Sequence, residues 1–591
     1  SYKKAIAINP NFSEAHNNLG SIFNDLKQLD KAIDAFEKAI ALKSNFAEAH
    51  NNLGNSLRGL GRFDGAVKYY KQAIDLKPDY YLAHNNLGLV LMGLGEINKA
   101  ISCFKTAISI KPDYAEAHNY LGNAFNILGK IKKGAKCYEK AIEINPKFAE
   151  AYNNLGNMFK KLKEINKAHL CYKQAISIKP DMDFLFGTLF NNKMNLAHWS
   201  NYSKNLKELT RKINNNEKTI GPFSLLGLID DPALQRRASE IFTQYHYPDN
   251  YNLQNIPTYS LHQKIRIGYF SGDFKIHPVA YLTAELYELH NRDHFEIHAF
   301  SFGPDTNDEM NLRIKAGVDH FHNVALMSNK EIALLTRSLE IDIAVDLSGF
   351  SGNSRPKVFA LSAAPIQLSY IGYLGTMAAD YFDYLIADPV MIPQESQKYY
   401  AEKIVYLPSY QVNDSKDLPP EITLTRKDVG LPEEGFVFCC FNNTYKFTPT
   451  VFDSWARILN EVEESVLIVY ANNELSTINL TKEIVKRGIK AERLIFGERL
   501  KRQEYLARYR TADLFLDTRP YNAGTTASDA LKMGLPLITM KGKSFNSREA
   551  ASILTSINLP ELITNTPEEY EALAIELATN PGKLKAIKDK L

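Results

Sequence analysis

Between Asn11 and Ile178 apolar positions fall at helical spacing, Leu-Gly in one stretch and Phe/Tyr-x-x-Ala-Ile in the next, and the whole pattern returns at a fixed interval. NFSEAHNNLG from Asn11 recurs as NFAEAHNNLG from Asn45, DYYLAHNNLG from Asp79, DYAEAHNYLG from Asp113 and KFAEAYNNLG from Lys147, each start 34 residues after the last. A helix pair with one apolar face cannot bury it alone, so such pairs must stack on their neighbours as a curved solenoid. From Lys264 the period changes to short apolar runs alternating with amphipathic helices: RIGYFSG, FEIHAFSF, IDIAVDLSG, IQLSYIGY, DYLIAD and KIVYLP. A second series begins at Gly435 with GFVFCCF, SVLIVYA, RLIFG, DLFLDT and LPLITM. Both read as βαβ units with mostly parallel sheets, and two such halves leave a ligand cleft between strand ends.

The period and motif of the first part resemble the tetratricopeptide repeat, which implies a peptide-holding surface. The expected organisation is a repeat solenoid over 1–180, degenerate capping helices and a linker over 181–263, a first βαβ lobe over 264–410 and a second over 411–591. Lysine plus arginine exceed aspartate plus glutamate by only 70 to 67, which excludes the broad basic field of a nucleic-acid binder. Of five cysteines, Cys103, Cys137 and Cys171 are one core position repeated, and Cys439-Cys440 lie in a strand and point to opposite faces. Neither a disulfide framework nor a metal site is expected from them. No 18-residue apolar stretch and no cleavable signal occur, so a reducing cytoplasmic setting without membrane insertion is the expectation.

LFLDTRPYNAGTTASDALKM, from Leu514 to Met533, is richest in chemistry. A strand ends at Asp517, a flexible loop follows, and Thr525-Thr526 open a helix. Unpaired N–H groups, two hydroxyls and the positive helix end there suit a diphosphate, and Asp529 one turn on suits ribose hydroxyls. A merely capped helix start would carry the same residues.

SGDFKIHPVAYL, LSGFSGNSRPKVFALSAAPIQLSYIGYLGT, FNNTYK, ARYRTADLFLDTRPYNAGTTASDAL and SREAAS, together with the repeats, resemble the O-GlcNAc transferase family over nearly the whole chain. The resemblance implies a tetratricopeptide α-solenoid fused to a two-lobed, Rossmann-like glycosyltransferase B region. It further implies inverting transfer of GlcNAc from UDP-GlcNAc to serine or threonine of intracellular proteins, with no metal and no further cofactor. On that basis Lys446 matches the family lysine that meets charge developing on the leaving diphosphate, and His277 the histidine placed over the donor, as a positioning group or a base. Gly375 and Thr376, in the glycine-containing turn from Gly372, and Asn443, in FNNTYK, join the donor set with Gly524, Thr525, Thr526 and Asp529. Arg502, Tyr505 and Arg508, spaced by three on one helix, are expected at the base, Arg502 standing where a lysine is usual and Tyr505 where a histidine is usual. Gly524 replaces a histidine common in the family and is shared with SPINDLY-type O-fucosyltransferases that use GDP-fucose, so that donor stays open. So does a non-catalytic scaffold. Asn18, Asn52, Asn86 and Asn154 hold one position in successive repeats and are expected to form an amide ladder on the concave face that clamps a peptide backbone, or else to bond between repeats. The chain opens mid-repeat at Ser1 and stops at Leu591, short of the terminal segment that in the family runs back toward the first lobe. A part of a longer protein is therefore expected, with activity depending on that segment.

Overall fold

The computed structural model describes residues 2–248, 256, 259, 262–471 and 473–591. Most of the YPDNYNLQNIP stretch, part of the expected linker, lies outside them. The chain forms two compact units, Ser1–Asp181 and Met182–Leu591.

The first unit is the expected run of antiparallel helix pairs, from Ser13–Asp25 with Leu29–Leu42 to Ala149–Lys161 with Ile165–Ile178. Each Leu-Gly exists because the aromatic ring of the second helix lies flat against the first: a Cβ on Gly54, Gly88 or Gly122 would stand 2.7, 2.6 and 2.6 Å from the ring of Tyr70, Phe104 or Tyr138. Where that ring is tyrosine its buried hydroxyl needs a partner, and Tyr70, Tyr138 and Tyr172 donate to Asn55, Asn123 and Asn157 at 2.8, 2.7 and 2.8 Å. Cys103 and Cys137 are half-buried and Cys171 buried, all free thiols raised by desolvation.

The second unit holds two parallel sheets. Strands β1 (Ile265–Ser271), β2 (Phe295–Ser301), β3 (His320–Asn323), β4 (Ile343–Asp346), β5 (Ile366–Ser369), β6 (Tyr384–Ala387) and β7 (Lys403–Tyr406) are ordered 3-2-1-4-5-6-7. Strands β8 (Val437–Cys440), β9 (Val466–Tyr470), β10 (Leu494–Gly497), β11 (Leu514–Leu516), β12 (Leu537–Met540) and β13 (Ile563–Thr564) are ordered 10-9-8-11-12-13. Central strands are covered on both faces and therefore read as unbroken apolar runs, as in Val437-Phe438-Cys439-Cys440, all buried. The short edge strands β3 and β13 were not expected, because HFHN and IT carry no such run.

The segment read as cap and linker has a larger role. Its helices Leu185–Asn195, Tyr202–Asn214 and Pro232–His246 belong to the second unit, and Phe190, Trp199, Leu209 and Leu234 share one core with β8 and β9. Trp199 meets Phe452 edge-on at 5.0 Å. The same segment reaches both lobes: Thr243 donates to the Met377 carbonyl at 2.9 Å, Arg236 to that of Lys398 at 2.8 Å, and Asn546 to that of Leu226 at 2.9 Å. Asp230 accepts from the backbone of Lys543 and Ser544 and from both serine hydroxyls of the 544–547 turn.

Candidate active site

The site forms where β8 and β11 end side by side. After β8 the chain turns through Thr444–Lys446, and after β11 through the Tyr521–Gly524 loop into helix Thr525–Lys532. Lys446 is buried, donates to the Asn522 carbonyl at 2.6 Å and stacks on Tyr521 at 3.8 Å. Burial pulls its ammonium down while Glu549 and Asp517 hold it up. The lysine thus points inward at the loop feeding Thr526, not into solvent.

Gly524 has no side chain to cap the helix, and its carbonyl takes the N–H groups of Ala527 and Ser528, which leaves the first N–H groups for an anion. Thr526 donates its hydroxyl to Asn442 Oδ1 at 2.6 Å, and Asn442 in turn donates to Thr518 Oγ1 at 2.8 Å. Asn442, buried, therefore ties the two strand ends together. Its neighbour Asn443, the expected donor residue, is exposed and its side chain caps nothing. Adjacent residues leaving a strand point opposite ways, and only the fold says which turns inward.

Asp517 is buried and accepts from the backbone of Thr518 and Ala523, both at 2.7 Å, and from Thr539 Oγ1 at 2.7 Å. Burial raises its carboxyl to about 6. Glu549 opens the helix Glu549–Ser556, is 9 % exposed and accepts no hydrogen bond among the described residues. Neither acid was among the expected site residues, although Asp517 ends the strand before the phosphate loop and Glu549 lies in SREAAS.

Arg502 and Asp529 meet as a bidentate pair, 2.9 and 2.8 Å, and Arg502 also donates to Asp417 at 2.9 Å. Burial pushes the Asp529 carboxyl up against the pull of Arg502. Each Asp529 oxygen keeps a lone pair, yet the pair's first task is to lock helix Arg502–Arg508 onto helix Thr525–Lys532. Arg508 corrects the expectation of one open face: it is 2 % exposed, stacks under Phe441 at 4.0 Å and donates to the Glu498 carbonyl at 2.7 Å. It holds the loop after β10 in place instead of offering itself to a base. Tyr505 shares a hydroxyl contact of 2.5 Å with Tyr509.

In the first lobe His277 ends the loop after β1 and caps helix Pro278–Leu289, its Nδ1 accepting from the Val279 N–H at 3.3 Å. Burial lowers its pKa, with Asp273 pulling the other way, so the ring is neutral near pH 7. With Nδ1 occupied as acceptor, the neutral ring carries its proton on Nε2, 3.8 Å from Asp273 Oδ2. One turn on, Tyr281 receives Arg502 of the other lobe on its ring at 4.7 Å. In the glycine-containing turn Thr376 is buried and its hydroxyl donates to Glu402 at 2.7 Å rather than standing free for a donor, and a Cβ on Gly375 would strike Tyr373 at 2.8 Å. Their conformation serves packing within the lobe.

In the solenoid Asn52, Asn86 and Asn154 each spend an N–H on an asparagine of the preceding repeat, Asn17, Asn51 and Asn119, at 3.1, 3.0 and 3.0 Å. Asn18 is exposed. The ladder is thus hydrogen-bonded between repeats; Asn154 also donates to Asn123 at 3.3 Å and Asn52 Oδ1 accepts from Asn51 at 3.4 Å, so the groups left over differ from repeat to repeat.

Among the described residues Glu296, His298 and His320 offer three ligand atoms within 4.8 Å. They lie on β2 and β3, share no residue with the site above and bond to one another, Glu296 Oε1 lying 2.9 Å from His298 Nε2 and 3.3 Å from His320 Nε2. A recess of about 540 Å³ between Trp199 and Lys486 also contains none of the site residues. No described helix is long and apolar enough to cross a membrane.

Against known proteins, tetratricopeptide repeat models match 1–34, 20–58, 54–95, 90–129, 122–163 and 149–182. A probable UDP-N-acetylglucosamine–peptide N-acetylglucosaminyltransferase, SEC of Arabidopsis thaliana, is 35 % identical over 56 % of this chain and 34 % of its own length. The UDP-N-acetylglucosamine–peptide N-acetylglucosaminyltransferase of Caenorhabditis elegans is 26 % identical over 67 % of this chain and 45 % of its own, and a probable one named SPINDLY from Hordeum vulgare 28 % over 60 % and 38 %. The chain thus spans between a third and a half of these relatives. A mutant of the Thermobaculum terrenum O-GlcNAc transferase aligns over 92 % of both chains with a TM-score of 0.58 and 25 % identity. The model of glycosyl transferase family 41 matches residues 240–422 and 411–591, which cover more than half of the sequence, and the chain belongs to that family.

Proposed function

We propose that this protein transfers GlcNAc from UDP-GlcNAc to serine or threonine hydroxyls of peptides gathered by its solenoid, with inversion and without a metal, in the cytoplasm. The observation that carries the reading is a buried ammonium, Lys446, bonded to the loop that delivers an uncapped helix start at Thr525-Thr526. As the acceptor oxygen attacks the anomeric carbon and the sugar–phosphate bond breaks, negative charge grows on the departing UDP. A fixed cation and helix-end N–H groups are what lowers that barrier. Asn442 holds Thr526 in place, the Arg502–Asp529 pair sets the neighbouring helix, and His277 offers an Nε2–H near the acceptor side.

The reading is tested by incubating the protein with acceptor peptides and UDP-GlcNAc, UDP-glucose or GDP-fucose. Release of UDP from UDP-GlcNAc with a mass gain of one N-acetylhexosamine on the peptide is the expected result. GDP release from GDP-fucose instead would replace the donor, a choice that Gly524 keeps open, and peptide binding with no turnover would make the chain a scaffold.

For the solenoid, the leftover amide groups of the ladder are the proposed peptide clamp. Weak contacts in series add through local concentration, so N52A alone should change peptide affinity less than about threefold, and N52A/N86A/N154A together by tenfold or more. Because each asparagine also bonds between repeats, melting curves must accompany the titration. An affinity loss that merely tracks unfolding would remove the clamp from the picture.

A further inference from the structure

The space that a side chain at Gly524 would fill is already occupied: a Cβ there would lie 1.9 Å from Glu549 Oε1 and 2.3 Å from its carboxyl carbon. A carboxyl therefore stands at the start of the eight-residue helix proposed to receive the donor pyrophosphate. It is nine-tenths buried and without a hydrogen-bond partner among the described residues. The groups facing it are Lys446 on the 444–446 turn, Asp517 at the end of β11, and the phenols of Tyr410, Tyr445 and Tyr521. One positive charge thus serves two acids. They differ in partners: Asp517 accepts from two backbone N–H groups and a hydroxyl, all of which favour its charged form, and Glu549 accepts from none.

We propose that Glu549 is a donor-binding residue that works protonated, giving a hydrogen bond to a pyrophosphate oxygen of the nucleotide sugar, so that donor binding takes up one proton from solvent. The proposal rests on the nucleotide-sugar reading above and goes beyond it, since a carboxylate at an anion site repels its ligand unless it is neutral. The three atoms nearest the place that Gly524 vacates all belong to the Glu549 carboxyl. Burial, together with Asp517 and against the pull of Lys446, pushes Glu549 up to about 7 in the empty site. A pyrophosphate carrying two fixed negative charges raises it further. The sign follows: below about pH 7 the acid is already protonated and affinity is flat. Above it each pH unit costs up to tenfold in affinity, until the pKa of the occupied site is passed.

The test is calorimetry with UDP-GlcNAc, whose diphosphate does not titrate between pH 6 and 8.5, in buffers of different ionisation heat. The wild-type protein should bind roughly tenfold more weakly at pH 8.5 than at pH 7.5 and take up close to one proton there. E549Q, which keeps the shape and an N–H donor, should be flat with pH and surpass the wild type at pH 8.5. E549A should also be flat but weaker than E549Q at every pH, and it keeps the question answerable if E549Q melts early. The same slope and proton uptake in E549Q or E549A as in the wild type would overturn the role of Glu549 and leave the donor assignment standing. No binding of UDP-GlcNAc by the wild type at any pH would overturn both.

Discussion

Lys446→Met should lower turnover by about 10³ in a protein that still folds, with a modest fall in melting temperature. The ammonium is the one described cation buried beside the Thr525-Thr526 helix start, held by the Asn522 carbonyl and the face of Tyr521. Removing one preorganised donor from the place where charge develops costs roughly 10²–10³ in kcat, and a full charge stands at the upper end of that range or above it. Methionine keeps the stem packed on Tyr521, but Asp517 and Glu549 lose the cation they share, so stability should fall somewhat even though the protein still folds. The loss should fall mainly on kcat, because the charge it meets is larger at the transition state than in the bound donor. Turnover within tenfold of the wild type would mean that another group carries the leaving-group charge.

Arg502→Met should be the most damaging change outside that lysine, by a different route. Asp529 is buried with both oxygens on Arg502, and Asp417 accepts from the same guanidinium and from Lys532. Taking away one partner of a buried pair leaves an uncompensated carboxylate and costs roughly 3–5 kcal/mol, which for a unit of this size is a fall of roughly 3–10 °C in Tm. Donor affinity should drop by about tenfold to a hundredfold as the two helices loosen. Arg502→Lys, which keeps the charge but loses the fork, should lie between. The double variant R502M/D529L should recover most of the melting temperature and none of the affinity, since an apolar pair can replace a buried ionic one in packing but not in recognition. A melting temperature for R502M within 1 °C of the wild type would show that the pair does not brace the site.

Much of the molecule could be read before any coordinate. The 34-residue period set the stacked helix pairs, unbroken apolar runs set the strands buried on both faces, and Gly-Thr-Thr after an apolar strand marked the uncapped helix start. Each of these signals is local, carried by neighbours along the chain whose spacing alone determines which face they share. Lys446 came from the resemblance of FNNTYK to the family, since local spacing alone does not set one lysine apart from the others. The fold decided what depends on contacts distant in sequence. Between Asn442 and Asn443 it chose which amide turns to Thr526, 84 residues away. It drew Arg508 under Phe441 and Thr376 onto Glu402, engaging in packing groups that the family resemblance had put at the ligand. It placed the helices between Leu185 and His246 against both sheets, where their degraded pattern had suggested a linker. And it set Glu549 into the space left by Gly524, an acid and a glycine separated by most of a βα unit. Periodicity says which face a residue is on; packing decides which partner meets it there, and burial then decides its charge.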